Sequence, residues 1–455
     1  MTQVTIVGGG PGGYEAALVA ARLGADVTVV ERDGVGGSTV LTDCVPSKTL
    51  IATSDLMTDV GTAADLGVEM TSAVRSDLAA VNRRVLDLAQ AQSGDIAQRL
   101  ESNGITILNG SARLTDVATV VVTTEAGEQE LASDAVLLAT GAHPRVSDSA
   151  LPDGERILTW EQIYALTEIP EHMIVVGSGV TGAEFASAYN GLGAQVTLVS
   201  SRDRVLPGED GDAAEVIENV FKRRGMTVLG RSRMQSVERH DDRVVVTLTD
   251  GRTVEGSHCL LALGSIPNTA DLGLEEAGVA VDDGGFIRVD RVSRTTARGV
   301  YAAGDVTGVL MLASVAAQQG RIAMAHLLGD HVAPLDLAVV SSNVFTSPEI
   351  ATVGVSQQQV DEGKVSAEIA VLPLGSNPRA KMQGVHDGFV KLVARPGSGT
   401  VIGGVVVGPK ASELIHTVSL AVSARLTVDQ VANAFTVYPS MSGSVAEAAR
   451  RLHRS

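Results

Sequence analysis

A pattern of strand, glycine loop, helix and strand occurs twice in this chain, and it constrains the fold more than any other feature. In the first copy, the β-branched run at residues 4–7 leads into the loop at 8–13, a predicted helix at 14–23 and a second strand at 27–30. The second copy has its strand at 173–176, its loop at 177–182, a helix ending near Leu192 and a strand at 196–199. Short β-branched runs are typical of buried parallel strands. A unit of this size that occurs twice predicts two domains of similar construction.

The glycine spacing within each loop indicates what these domains bind. In the first copy, Gly8 permits a tight turn, Gly10 lets the backbone approach a pyrophosphate, and Gly13 allows close packing of helix on strand. Free amides at the start of the helix attract the anion. Glu31, at the end of the second strand, is placed to accept hydrogen bonds from a ribose. In this strand–helix–strand setting, the spacing predicts a dinucleotide site.

The second copy differs at the ribose position. Ser200 stands where the first copy has Glu31, and Ser201, Arg202 and Arg204 follow. An acid at this position would repel a 2′-phosphate, whereas hydroxyl and guanidinium groups donate hydrogen bonds to it. The sequence therefore favours NADPH in the second domain. The alternative is that the arginines are ordinary surface charges and that NADH is used as well.

Composition limits the remaining possibilities. A chain of 455 residues predicts two or three domains. The net charge of −18 argues against nucleic acid or an anionic membrane as a partner, because it would repel both. No apolar run is long enough to cross a bilayer, and no secretory signal is seen. With only two cysteines, we expect a cytoplasmic protein without disulfides, and we assign no metal site.

Motifs along the whole chain resemble one enzyme family. Residues 36–48 read Gly-Gly-Ser-Thr-Val-Leu-Thr-Asp-Cys-Val-Pro-Ser-Lys, residues 135–141 end in Ala-Thr-Gly, and residues 299–305 read Gly-Val-Tyr-Ala-Ala-Gly-Asp. These segments resemble the flavin-dependent pyridine nucleotide-disulfide oxidoreductases. The resemblance implies an α/β fold with two Rossmann-like dinucleotide-binding domains and an α+β C-terminal dimerisation domain. It places the FAD-binding domain at 1–148 and 271–335, the NAD(P)H-binding domain at 149–270 and the dimerisation domain of a homodimer at 336–455.

The resemblance also assigns binding residues. Asp305 would hydrogen-bond the ribityl chain of the flavin, and Ala112 would meet its adenine. The full set implied for FAD is Gly8, Gly10, Pro11, Gly12, Gly13, Glu31, Arg32, Gly37, Ser38, Thr39, Cys44, Lys48, Ala112, Thr140, Gly141, Asp305, Met311, Leu312 and Ala313. The set for the nicotinamide dinucleotide is Gly177, Gly179, Val180, Gly182, Glu184, Ser200, Ser201, Arg202, Arg204 and Gly264.

Two motifs depart from the family pattern, and both concern thiol chemistry. Thr39 replaces the first of two cysteines, so Cys44 has no partner for the family's disulfide. The family's C-terminal His-Pro-Thr-x-Ser-Glu is replaced by a segment that begins at Tyr438 and reads Tyr-Pro-Ser-Met-Ser-Gly. The histidine and glutamate that serve the thiols are therefore also missing. We interpret Cys44 as packing against the flavin, with a redox role as the less favoured alternative.

The remaining catalytic residues follow from the same resemblance. Lys48 follows Cys44 by four positions and would share a helix face with it. In the family this lysine lies beside the flavin and pairs with a glutamate, here Glu184, so that its charge stabilises electron density arriving on the ring. Tyr438 would line the acceptor pocket or simply fill the volume of the missing histidine.

The intact dinucleotide motifs and the lost thiol motifs together predict that NADPH reduces FAD and that electrons pass directly to a small acceptor. A quinone suits the vacated space because it is flat and needs no thiol. The chain most resembles the NAD(P)H:quinone reductase branch of the family. The alternatives are a soluble pyridine nucleotide transhydrogenase, a flavin-binding protein without turnover, and a disulfide reductase acting through Cys44 and an external thiol.

Overall fold

The computed structural model describes residues 1–453. Its helices are α1 (Pro11–Arg22), α2 (Gly37–Leu41), α3 (Cys44–Thr62), α4 (Leu78–Ser102), α5 (Val180–Leu192), α6 (Gly211–Arg223), α7 (Ala313–Leu327), α8 (Gln357–Asp361), α9 (Pro378–Met382), α10 (Ala411–Ser423), α11 (Val428–Asn433) and α12 (Gly443–Leu452). Short 3₁₀ turns lie at Ala63–Leu66, Ile163–Ala165, Asp305–Thr307, Leu337–Val339 and Leu374–Ser376.

The strands of the first half of the chain are β1 (Gln3–Val7), β2 (Asp26–Glu31), β3 (Thr106–Asn109), β4 (Ser111–Leu114), β5 (Thr119–Thr124), β6 (Gly127–Ala132), β7 (Ala135–Leu138), β8 (Ala142–Pro144), β9 (Ile157–Thr159), β10 (His172–Val176), β11 (Gln195–Val199) and β12 (Thr227–Leu229). Those of the second half are β13 (Met234–His240), β14 (Arg243–Leu248), β15 (Thr253–Gly256), β16 (His258–Leu261), β17 (Ser265–Pro267), β18 (Val300–Ala302), β19 (Ser341–Val344), β20 (Glu349–Gly354), β21 (Glu368–Pro373), β22 (Phe389–Ala394) and β23 (Val401–Gly408).

The chain forms two compact units. Unit 1 consists of residues 1–49, 82–145 and 264–336, and unit 2 consists of residues 50–81, 146–263 and 337 onwards. Each unit is therefore assembled from separated stretches of sequence. The three-domain division expected from the sequence is finer than this and stays a prediction.

Unit 1 is built on a five-stranded parallel sheet in the order β18-β7-β1-β2-β3. Its central strand β1 is apolar and β-branched, and Val4 and Ile6 are almost completely buried. A strand covered on both faces needs such a sequence, because either face would otherwise expose apolar side chains. Helices α1 and α7 pack together, and Gly320 of α7 lies so close to Gly12 that an added Cβ would be 2.0 Å from the Gly12 carbonyl oxygen.

Two smaller antiparallel sheets complete unit 1. Strands β4, β5 and β6 form one, and the predicted hairpin at 120–130 is confirmed as β5 and β6. Strands β8 and β17 form the other, with Ala142 opposite Pro267. Strand β8 lies just before the chain leaves unit 1 at residue 145, and β17 lies just after it returns at residue 264.

Unit 2 repeats the parallel arrangement in its sheet β12-β11-β10-β16-β9. The register pairs His172 with Gln195 in the same way that β1 pairs Gln3 with Asp26. A meander of β13, β14 and β15 and an antiparallel sheet in the order β19-β20-β23-β22-β21 also belong to unit 2. Helices α10 and α12 pack against the latter sheet.

The mixed α/β fold with its repeated dinucleotide-type motif is confirmed, and several local expectations need correction. Helix α1 begins at Pro11 rather than at residue 14, because proline is favoured in the first turn of a helix. Helix α10, expected to extend to residue 426, ends at Ser423. The apolar face expected between residues 88 and 100 is only partly right, because Leu88 and Ala91 are exposed whereas Ile96 and Leu100 are buried.

Among residues 1–453, no helix combines the length and apolar character that a transmembrane span requires.

Candidate active site

The two glycine loops have the same local geometry. In unit 1, a Cβ added at Gly13 would lie 1.9 Å from the Gly8 carbonyl oxygen, and in unit 2 the equivalent contact of Gly182 with Gly177 is also 1.9 Å. Only glycine permits so close an approach of helix to strand. Gly10 and Gly179 precede α1 and α5 and face open space. Each loop therefore offers the first amides of a long helix beside room for a phosphate group.

In unit 1, the segment 36–48 lies against the first glycine loop. The Gly36 amide donates a hydrogen bond to the Gly9 carbonyl at 2.8 Å, and an added Cβ at Gly37 would be 2.9 Å from the Gly10 Cα. Ser38 and Thr39 follow in the short helix α2. Helix α3 begins at Cys44, so Cys44 and Lys48 share one helix at the predicted spacing of four.

The Glu31 carboxylate is already oriented by the backbone. Its Oε2 accepts a hydrogen bond from the Gly9 amide at 2.6 Å, while Oε1 accepts from the amides of Arg32 and Asp33 at 2.7 and 2.8 Å. These bonds fix the acid at the edge of the glycine loop, where a ribose hydroxyl would share its remaining lone pairs. The Arg32 side chain is exposed and pairs with Asp33.

Asp305 is the residue of unit 1 whose environment fits a bound flavin best. It begins the 3₁₀ turn after β18, and burial, followed by the charge of Asp43, raises its pKa to about 6. Within residues 1–453, no hydrogen bond to its carboxylate is found. A carboxylate withdrawn from water normally has a donor. The hydroxyl groups of a ribityl chain would supply one, so the residues present fit FAD.

Other residues predicted to contact the flavin stabilise the fold around this region. Thr140 Oγ1 donates to the Asn268 carbonyl at 2.7 Å, and Asn268 Nδ2 donates to the Thr140 carbonyl at 2.8 Å. The Gly141 carbonyl accepts a hydrogen bond from the Asn268 amide. Gly264, which was predicted to contact the nicotinamide dinucleotide, lies nearby in the chain's return to unit 1, and its carbonyl accepts from the Arg145 amide. Ala112 lies in β4, opposite Val122, and the remaining members of the predicted set stand at the N-terminus of α7, as Met311, Leu312 and Ala313.

In unit 2, Ser200 does not present its hydroxyl to solvent. Its side chain is fully buried, and its Oγ lies 2.6 Å from the Oγ of Ser178 in the second glycine loop. Ser200 Oγ also accepts a hydrogen bond from the Arg202 amide at 3.1 Å. The expectation that this hydroxyl contacts a 2′-phosphate therefore has no support in its placement. Its role is to join the end of β11 to the loop.

The exposed groups beyond Ser200 provide positive charge. Ser201, Arg202 and Arg204 are exposed, and the Arg204 guanidinium donates to the Glu209 carbonyl at 3.1 Å. No partner of the Arg202 guanidinium is found in the part of the chain that the structure describes. Arg202 is thus the side chain of this set that is most available to a ligand.

Arg231 was not anticipated from the sequence. It lies just beyond the end of β12, the parallel neighbour of β11, and its amide donates to the Arg202 carbonyl at 2.8 Å. Its Nε pairs with Asp203 at 2.8 Å, and both side chains are exposed. The apolar run that forms β12 is the sequence signal for this residue. Parallel strands end at the same edge of a sheet, so a residue that follows β12 lies near the residues that follow β11.

Glu184 and Tyr438, both in unit 2, have very different surroundings. Glu184 is buried in α5, and its Oε1 accepts a hydrogen bond from the Phe345 amide at 2.8 Å. Tyr438 is 81% exposed and follows the exposed side chains of Phe435 and Val437. The buried acid is held by its own unit, whereas the tyrosine has little contact within the chain.

Comparison with known proteins places the chain in a family. A model of the pyridine nucleotide-disulphide oxidoreductases matches residues 2–320, and a model of that family's dimerisation domain matches residues 340–449. The chain belongs to this family. It is therefore an oxidoreductase, and membership implies the use of FAD and NAD(P)H.

Individual members of the pyridine nucleotide-disulphide oxidoreductase family show how far the similarity extends. The chain is 52% identical to a Mycobacterium tuberculosis protein named NAD(P)H dehydrogenase (quinone), over 99% of this chain and 94% of the relative. It is 32% identical to the dihydrolipoyl dehydrogenase of Chlamydia pneumoniae, over 99% and 97%. The crystal structure of LpdA from M. tuberculosis superposes with a TM-score of 0.96, at 52% identity and full coverage of both chains. The predicted family and fold are thereby confirmed.

Proposed function

We propose that this protein is an FAD-dependent NADPH:quinone oxidoreductase that works without a redox-active disulfide. The overall reaction would be NADPH + H⁺ + quinone → NADP⁺ + hydroquinone, in which two electrons and two protons reach the quinone. The name of the mycobacterial relative supports this acceptor. The three-domain division at 1–148 with 271–335, 149–270 and 336–455 is part of the same proposal.

The cysteine content is the observation that carries the proposal. The chain has two cysteines, Cys44 and Cys259, and neither forms a disulfide. Cys259 lies in β16 with no exposed surface, and burial raises the pKa of its thiol well above the usual range. A buried neutral thiol does not act as a nucleophile in disulfide exchange. With Thr39 at the other family position, the chain lacks the second thiol that the family's disulfide requires.

Each dinucleotide would be held by the residues of one glycine loop. FAD, when bound, supplies two-electron chemistry between the nicotinamide and the acceptor. Glu31 and Asp305 would orient it through ribose and ribityl hydroxyls, and the amides at the start of α1 would hold its pyrophosphate. We assign Lys48 the role of stabilising negative charge on the ring and Glu184 that of supporting this lysine.

Preference for NADPH over NADH would come from the charges beyond Ser200. Arg202 and Arg231 stand at the carboxyl ends of the neighbouring strands β11 and β12, and a 2′-phosphate is a strong acceptor for guanidinium donors. Ser201 would add a hydroxyl donor.

A homodimer would complete the acceptor site. The exposed segment from Phe435 to Tyr438 lies within the part of the chain that matches the dimerisation domain. A second copy of the chain would cover these apolar side chains. Tyr438 would then line the acceptor pocket of the partner subunit and donate a hydrogen bond to a quinone oxygen.

Anaerobic reduction of the purified yellow protein by NADPH, followed by an acceptor panel, tests the proposal. The panel contains a menadione-type quinone, lipoamide, oxidised glutathione and NAD⁺. We expect rapid bleaching by NADPH and rapid recovery of colour with the quinone alone. Recovery with a disulfide but not with the quinone would refute the proposal, and rapid recovery with NAD⁺ alone would indicate a transhydrogenase. Absence of bleaching would indicate a flavin-binding protein without turnover.

A further inference from the structure

Unit 1 contains a surface groove that the proposed function does not use. Its volume is about 550 Å³, and its lining lies around residues 288–301 and His326 at the end of α7. It includes Val300, the first residue of β18, which is level with Val136 of β7. The groove is therefore at the amino end of the parallel sheet. Asp305 and the first glycine loop follow the carboxyl end, roughly 10 Å away along a three-residue strand.

The charge of this groove is opposite to that of the protein. Arg288, Arg294 and Arg298 line it, and Asp290 is its one acidic lining residue. The chain as a whole carries a formal charge of −18, a field that repels small anions from most of the surface. A local excess of arginine is the arrangement that can hold an anion against that field.

One arginine of the groove forms an ion pair, and the other two could bind a ligand. Arg294 pairs with Asp290 through Nη2 at 2.6 Å and Nε at 2.7 Å, which neutralises the acid and fixes this guanidinium. Arg288 and Arg298 are exposed, and no hydrogen bond or ion pair of either guanidinium is found within residues 1–453. Guanidinium groups are favoured donors for phosphoryl oxygens, and both of these line the same groove.

The lining also includes two rings that are joined by a hydrogen bond. Tyr301 is largely buried, and its hydroxyl lies 3.0 Å from Nδ1 of His326. Their ring centres are 6.0 Å apart. The hydrogen bond and the burial of Tyr301 hold these two rings together. Both residues line the groove, so they would border the body of a ligand whose charged group meets the arginines.

We propose that this groove binds the phosphoryl group of a small phosphorylated metabolite. Arg288 and Arg298 hold the phosphoryl oxygens, and Tyr301 with His326 borders the rest of the molecule. The volume lies in the range of small-molecule sites, about 300–1,000 Å³. The ligand is distinct from both dinucleotides and from the electron acceptor.

Calorimetric titration of the FAD-loaded protein, saturated with NADP⁺, tests this site. Inorganic phosphate is the minimal probe and glucose 6-phosphate the organic one. We expect saturable binding of phosphate below about 10 mM, weakened at least tenfold in Arg288→Gln/Arg298→Gln. Tighter binding of glucose 6-phosphate would point to an organic source, and equal affinity to free phosphate.

Arg243→Gln is the matched control, because Arg243 is also an exposed arginine of this acidic chain. It should leave phosphate binding unchanged. The double variant should retain its FAD and its NADPH oxidation, since neither arginine belongs to the proposed electron path. Absence of saturable binding, binding unaffected by the double variant, or binding lost instead in Arg202→Gln would overturn the proposal.

Discussion

The hydroxyl groups of Ser178 and Ser200 lie 2.6 Å apart inside unit 2, one in the second glycine loop and the other at the end of β11. Ser200 stands where the first dinucleotide motif has Glu31. A neutral hydrogen bond between two hydroxyl groups thus stands where the first motif has a carboxylate. The position therefore carries no negative charge that would repel a 2′-phosphate, and we propose that the exposed arginines beyond it select the nicotinamide cofactor.

Arg202→Ala and Arg231→Ala should each lower kcat/KM for NADPH by about 10- to 100-fold, because a charged hydrogen bond contributes roughly 1.5–3 kcal/mol. The value for NADH should change less than twofold. Steady-state kinetics with both cofactors measures this. Arg243→Ala, which removes an exposed arginine paired with Glu255, is the control. An equal loss with both cofactors would argue against a 2′-phosphate contact.

Asp305→Asn should stabilise the FAD-free protein near neutral pH and weaken its binding of FAD. Because the pKa of Asp305 is raised to about 6, the folded state binds a proton more tightly than the unfolded state. The unfolding free energy should therefore fall as the pH rises from about 4 to about 6. The substitution removes this loss of stability, a gain of up to about 3 kcal/mol at pH 7 and little at pH 4. Denaturant unfolding at both pH values is the measurement, and a loss of stability at pH 7 would contradict it.

Glu184→Gln and Glu184→Leu separate the charge of this buried residue from its hydrogen bond to the Phe345 amide. Glutamine keeps an acceptor for the amide, so its unfolding free energy should stay within about 1 kcal/mol of the parent. Leucine leaves the amide without that acceptor and should cost about 1–3 kcal/mol. Both should slow flavin reduction by NADPH at least tenfold in stopped-flow absorbance, if the charge supports Lys48. A glutamine variant as fast as the parent would limit Glu184 to a structural role.

Lys391→Met should destabilise unit 2 by about 3–5 kcal/mol, because it leaves the buried carboxylate of Asp210 without its cation. The Lys391 side chain is fully buried, and its Nζ lies 2.8 Å from Asp210 Oδ2 and 2.7 Å from Asp212 Oδ2. Asp210 also caps α6. Adding Asp210→Asn should restore much of the stability, since asparagine still caps a helix.

Arg223→Met is the control for this pair, because the ion pair of Arg223 with Asp387 is exposed. It should cost less than about 1 kcal/mol in the same denaturant unfolding. Equal losses in Lys391→Met and Arg223→Met would show that burial does not set the strength of the Lys391 pair.

Cys44→Ser should keep turnover with a menadione-type quinone within about twofold of the parent, because the proposed electron path forms no bond to sulfur. The flavin absorbance spectrum, recorded in the same samples, shows whether FAD remains bound. A Cys44→Ser variant that binds FAD but has lost quinone turnover would assign a redox role to the thiol.

The repeated motif was readable from the sequence because its causes are local. Runs of β-branched residues favour buried strands, and the close contact of Gly13 with Gly8 spans only five positions. The predicted end of α5 at Leu192 is confirmed for the same reason, since Gly193 follows in the left-handed conformation. The sequence alone is therefore sufficient to identify the dinucleotide motifs and the family.

Tertiary structure decided where side chains point and which distant residues meet. Ser200 was expected to face a ligand, yet it is buried against Ser178. Arg231 reaches Arg202 only because β11 and β12 pair in parallel, and Asp305 acquires its raised pKa only because folding buries it near Asp43. The sequence alone determined the backbone motifs, whose sterics act over a few residues. Burial and charge at the sites depend on the packing of segments up to hundreds of residues apart, which no local pattern records.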